Sequence, residues 1–175
     1  KCFHALPQRA GVDAPRATPQ VIDDAFNRIG QQFDDLALRN NLKADSKLVQ
    51  DLRAAYDDYG SLVPKSARAP IVDNLTNDIV KTVKTQKGLS GEVYQSLTSR
   101  IAKAARGTKD PELGTALRGI REALDDAMER TIAVTNPSDA GAWKEARRQY
   151  RNLLVIEKAA TGAGENAAAG IISPS

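Results

Sequence analysis

The chain has 175 residues, of which 41% are hydrophobic, 27% charged and only 5% aromatic, with a formal net charge of +3. So few aromatics leave the core to Leu, Ile, Val and Ala, which suits closely packed helices and argues against a β-sandwich. The slight basic excess excludes charge as a global argument for nucleic acid. The longest apolar run, residues 153–156, excludes a bilayer span of roughly 20 residues.

Residues 1–17 hold Pro7, Gly11 and Pro15 without periodicity, which predicts an extended arm or linker. Cys2 and His4 lie in this arm. A Cys-x-His pair lacks the second pair that a four-ligand site needs, so neither metal nor cofactor is expected. Thr18 and Pro19 then read as a cap followed by a first-turn proline. Ile22, Ala25, Phe26, Ile29, Phe33 and Leu36 make one helical stripe, closed at Asn40 and Asn41.

A second helix starts near Asp45 and Ser46, carries Leu48, Leu52, Ala55 and Tyr59, and stops at Gly60. Pro70 opens a third, with Val72, Leu75, Ile79 and Val83 facing inward. A fourth begins at Ser90, and the spacing predicts Val93, Leu97, Ile101 and Ala105 as its buried face. Asp110 and Pro111 repeat the cap-then-proline signal. The fifth helix carries Leu113, Leu117, Ile120, Leu124, Ala127 and Thr131 for three heptads, beside Ala123 and Met128. That stripe is wider than a two-helix seam needs, which predicts leftover apolar surface. Asn136 and Pro137 introduce a sixth helix to about Ala160, with Trp143, Ala146, Tyr150 and Leu153 as its seam. No strand pattern is visible.

The expected fold is therefore all-α, an antiparallel bundle of about six helices behind an extended N-terminal arm, with no sheet. The connections at 43–45 and 107–110 are short enough to make the helices they join antiparallel. The expected organisation is an arm over 1–17, an N-terminal helical subdomain over 18–87, a C-terminal bundle over 88–160 and a Gly/Ala-rich tail over 161–175. A chain with one internal methionine, Met128, and no initiator Met reads as a segment of a longer polypeptide.

Catalytic signatures are missing from this text. The acidic pairs at 23–24, 34–35, 57–58 and 125–126 point about 100° apart on a helix, do not converge on one substrate atom, and read as solvated flanks. No catalytic residue is assigned, and the segment is not expected to be an enzyme. Two basic groups carry the binding argument: Arg100, Lys103 and Arg106, with Lys109, at the end of the fourth helix, and Lys144, Arg147, Arg148 and Arg151 on the sixth. They read either as phosphate or partner contacts or as solvated faces. Leu154, Val155 and the Ile171–Ile172 pair are candidate subunit contacts.

Two stretches, RIGQQFDDLALRNNL (residues 28–42) and AWKEARRQYRNLLVIEKAA (142–160) followed by GIISPS, resemble segments of the large helix-rich virion proteins of tailed bacteriophages, the internal or DNA-ejection class. The resemblance runs from about Thr18 to the end and rests on phrases, not on a catalytic motif. It implies a multicopy structural or assembly module in the capsid interior or tail, delivered with the genome, the host envelope being one destination. Implied partners are copies of the chain and other virion proteins. The alternative is a DNA-contacting helical module that uses the basic faces of the fourth and sixth helices.

Overall fold

A computed structural model of the chain describes residues 18–168. The arm expected over 1–17, and Ile171 and Ile172, lie outside the described residues. Among those described, six α-helices follow in order: α1 (Pro19–Leu38), α2 (Ser46–Leu62), α3 (Pro70–Gln86), α4 (Gly91–Gly107), α5 (Pro111–Thr135) and α6 (Ala140–Ala168). Two short 3-10 turns, Lys65–Ala67 and Pro137–Asp139, complete the helical set. The all-α, bundle-like class is the one the periodicity implies.

The helix starts follow their chemistry. The Asp45 carboxylate accepts from the Leu48 amide at 2.8 Å, the Ser90 hydroxyl from Val93 at 3.3 Å, and the Asp110 carboxylate from Glu112 and Leu113. Each side chain satisfies amides that the helix leaves unbonded at its first turn. At the other end, α6 continues to Ala168, past the stop expected near Ala160.

The expectation of no sheet needs correction. β1 (Leu42–Lys43) and β2 (Gly88–Leu89) pair antiparallel, with Leu42 opposite Leu89 and Lys43 opposite Gly88. Strands of two residues have no alternation to detect.

The chain forms two compact units. One contains the described residues of Lys1–Phe33 and Gly141–Ser175, and the other is Asp34–Ala140. The division expected between residues 87 and 88 falls inside the second unit.

In the larger unit α5 is the central element, 25 residues and roughly 37 Å long. It packs on α2 and α4 and also meets α3 and β1. Ala123, Leu124, Ala127 and Met128 are at most 3% exposed, so these four leave none of the surplus apolar surface expected of them. A helix surrounded by several elements needs a wide apolar face. The stripe Val72, Leu75, Ile79 and Val83 on α3 is buried as its spacing predicts.

On α4 the buried face is turned by one residue from the expected one. Tyr94, Thr98, Ile101 and Ala105 are buried, whereas Val93 is 48% exposed and Leu97 half-buried. The Tyr94 hydroxyl donates a short hydrogen bond to the Asp125 carboxylate on α5, and Arg121 Nε lies 3.3 Å from the same carboxylate. Asp125, expected on a solvated flank, is a buried anion at 4% exposure.

The smaller unit joins residues of α1 and α6. Ile22, Ala25, Phe26, Ile29 and Phe33 are buried on α1, and Trp143, Ala146, Leu153 and Ile156 on α6. Phe33 meets the Trp143 ring edge-to-face at 5.3 Å, and Phe26 meets Tyr150 likewise at 5.8 Å. Such pairs add about 0.5–1.5 kcal/mol beyond the area they bury. The tryptophan belongs to a packing seam.

Among the described residues no helix is long and apolar enough to cross a membrane.

Candidate interaction surfaces

On α6 the residues away from the aromatic seam form a stripe spaced four, three, four and three: Lys144, Arg148, Arg151, Val155 and Lys158, all exposed. Val155 is 56% exposed and its neighbour Leu154 half-buried. Arg147, expected at the edge of this basic face, is only 4% exposed. The step of about 100° per residue carries it off the stripe and into the buried side, so it is withdrawn as an outward phosphate or partner contact.

Arg148 is exposed but engaged. Its Nε donates to the Glu145 carboxylate at 2.9 Å, and Gln149 Nε2 donates to the same group at 2.9 Å. The hydrogen bond from Arg148, then that from Gln149, holds the Glu145 carboxyl down at about 2. The Arg148 guanidinium is correspondingly raised. Lys144, Arg151 and Lys158 are the other exposed cations of the stripe.

Arg100, Lys103 and Arg106 are exposed along the second half of α4. Arg106 stands in the last turn, where a cation complements the helix dipole. Arg100 also borders a groove of about 380 Å³ between α3 and α4. Ile79, Leu89, Val93 and Leu97 provide its apolar lining, and Asp78, Glu92 and Arg100 its charges. The rotation of α4 that buries Tyr94 is what turns Val93 and Leu97 toward this groove.

Polar side chains that looked like helix punctuation instead join distant elements of the larger unit. Asp139 accepts two hydrogen bonds of 3.1 Å from the Arg39 guanidinium, one of 3.0 Å from Asn40 Nδ2 and one of 2.9 Å from Asn136 Nδ2. The bond from Arg39 is the main reason its carboxyl titrates below the ordinary range. Asp45, besides capping α2, is gripped by Arg130 from α5 at 2.7 and 2.9 Å, which depresses its carboxyl in the same way. Asn40 and Asn136 carried a signal only as a stop and a cap. Nothing in their local sequence pairs them across nearly a hundred residues.

Among the described residues no group of three or more His, Cys, Asp or Glu side chains is placed to hold a metal ion. No protein-family profile, curated protein or solved structure matches the chain.

Proposed function

We propose that this chain is a structural assembly module that works by packing against other protein subunits, with no catalytic role of its own. The observation that carries this reading is the second apolar face of α4. Tyr94, Ile101 and Ala105 fill the core, while Val93 and Leu97 remain beside an open groove. A helix with apolar side chains on both sides has a use for a partner on the outer one. The likeness of residues 28–42 and 142–160 to tailed-phage virion proteins supports the same reading. It makes the proposed setting a capsid interior or tail, with copies of the chain and other virion proteins as partners.

The competing reading is a DNA-contacting module. The exposure of Lys144 and Arg151 on α6, and of Arg100, Lys103 and Arg106 on α4, favours it. Burial of Arg147 and the tie of Arg148 to Glu145 reduce the cations available on α6. Assembly is therefore preferred.

Ionic strength separates the two. Phosphate contacts release counterions, so DNA affinity falls steeply between about 50 and 200 mM salt, whereas apolar packing does not weaken in that way. Sedimentation of the chain at high micromolar concentration is expected to give a mass above the monomer that survives in raised salt. A monomer at every salt concentration, together with salt-steep retention of a DNA duplex, would reverse the preference.

A further inference from the structure

We infer that the groove between α3 and α4 receives α6 of a second copy of the chain, with Val155 seated over Val93 and Leu97; this rests on the assembly reading. Shape and polarity suit a helix. The groove is open and lined by Ile79, Leu89, Val93 and Leu97, and a helix-in-groove contact needs an apolar residue at its centre. The exposed α6 stripe offers one in Val155, with Arg151 four residues before it and Lys158 three residues after.

Charge selects between candidate occupants. The groove carries two carboxylates, Asp78 and Glu92, against one cation, Arg100. The stripe of Lys144, Arg148, Arg151, Val155 and Lys158 carries four cations, of which Arg148 is paired with Glu145 beside it, so its balance stays basic. An acidic wall facing a basic helix is complementary, and such complementarity sets partner choice and register more than raw affinity.

The test uses two full-length charge-reversed chains at about 0.1 M salt, where screening over about 10 Å leaves close charges effective. The groove-reversed chain carries Asp78→Lys and Glu92→Lys; the helix-reversed chain carries Arg151→Glu and Lys158→Glu. Circular dichroism checks that both keep the helicity of the wild type. Alone, each places like charges at the contact and is expected to associate at least tenfold more weakly than the wild type. Mixed, their reversed surfaces match again, and a heteromeric complex of wild-type mass is expected. Val155→Asp, on the helix alone, is expected to weaken association by at least a similar factor.

Wild-type chain that associates while all these variants associate equally well overturns the pairing and leaves the assembly reading standing. Wild-type chain that stays monomeric overturns both. If the helix-reversed chain loses salt-sensitive binding of a DNA duplex while its mass in solution is unchanged, the stripe serves nucleic acid and the pairing is likewise overturned.

Discussion

Arg39 and Asp139, a hundred residues apart, meet in a two-bond fork with both distances at 3.1 Å. The two halves of this contact differ in weight. The Arg39 side chain is 56% exposed, and solvent screens an ion pair made by so exposed a cation. Asp139 also accepts from Asn136 and from Asn40, and Asn40 is 3% exposed, with its amide donating to the Leu36 carbonyl as well. Leaving buried amide donors without their acceptor costs about 1–3 kcal/mol. Arg39→Ala is therefore expected to leave stability nearly unchanged, and Asp139→Ala to lower it by about 1–3 kcal/mol. Urea denaturation measures both, and equal losses would contradict the assignment of Asp139 as an acceptor for the asparagines.

The same carboxylates give the chain an acid limb. Asp45 and Asp139 are held below their ordinary 3.8, mainly by hydrogen bonds from Arg130 and Arg39, and Glu145 falls from 4.5 to about 2. A depressed carboxyl binds its proton more weakly in the folded chain than in the unfolded one, so acid favours unfolding. The stabilisation is complete above the unfolded values near 4.5 and is lost as pH falls toward 2. Exposure of the pairs screens it, so the effect is partial. The melting temperature is expected to hold steady down to about pH 5 and decline below it. In the double variant Asp45→Asn, Asp139→Asn the decline should be shallower. An unchanged acid slope in that variant would sink the assignment.

How far the sequence could be read depended on whether a feature was local. On α1 and α3 the fours and threes of Ile22, Phe26, Ile29, Phe33 and of Val72, Leu75, Ile79, Val83 coincide with the buried faces, because one stripe meets one core. On α4 the adjacent Val93 and Tyr94 are both apolar. Thr98, three residues before Ile101, looked polar, so spacing favoured Val93 and Leu97. Its hydroxyl bonds the Tyr94 carbonyl at 2.9 Å and is satisfied while buried. Tyr94 as partner of Asp125, Arg39 and Asn40 as partners of Asp139, and Arg130 as partner of Asp45 lie on other elements, where no periodicity reveals them; Arg121, four residues before Asp125, is the exception. The exposed stripe on α6 was legible except for Arg147, which a single residue step turns inward.

The ribbon makes two adjacent backbone demands that point opposite ways. A Cβ on Gly91 would stand 2.1 Å from the Ala37 carbonyl oxygen and 2.9 Å from that of Asn40. Both are backbone atoms that cannot swing aside, so Gly91→Ala is expected to cost about 3 kcal/mol or more. Lys87 has φ of 60°, the left-handed region, at the end of α3. An L-residue there costs about 1–2 kcal/mol, and glycine's greater unfolded freedom returns part of it. Lys87→Gly should therefore stabilise by about 0.5–1 kcal/mol. Thermal unfolding of the two variants should move in opposite directions, and a stabilised Gly91→Ala would mean that α4 does not press on the end of α1 in this way.

The buried group of Tyr94, Asp125 and Arg121 tests whether charge in the core stabilises this fold or merely has to be accommodated. Arg121 and Asp125 side chains are 11% and 6% exposed. Tyr94→Phe removes one donor to a charged acceptor and is expected to cost about 1.5–3 kcal/mol. Asp125→Ala takes away the carboxylate facing a largely buried guanidinium, and a loss of about 3–5 kcal/mol is expected. Desolvation opposes the Coulombic gain inside proteins, so exchanging the whole group for apolar side chains of similar size should cost far less. The triple variant Tyr94→Phe, Arg121→Met, Asp125→Leu is expected to recover most of the stability lost in Asp125→Ala, within about 1–2 kcal/mol of the wild type. The chain then keeps these charges for a reason other than net stability, such as fixing the rotation of α4 that leaves Val93 outside. A triple variant no more stable than Asp125→Ala would show instead that the network itself holds α4 to α5. Urea titration gives the stabilities. The exposure of Val93, followed as the labelling rate of a Val93→Cys substitution in each background carrying Cys2→Ser, reports whether the helix has turned.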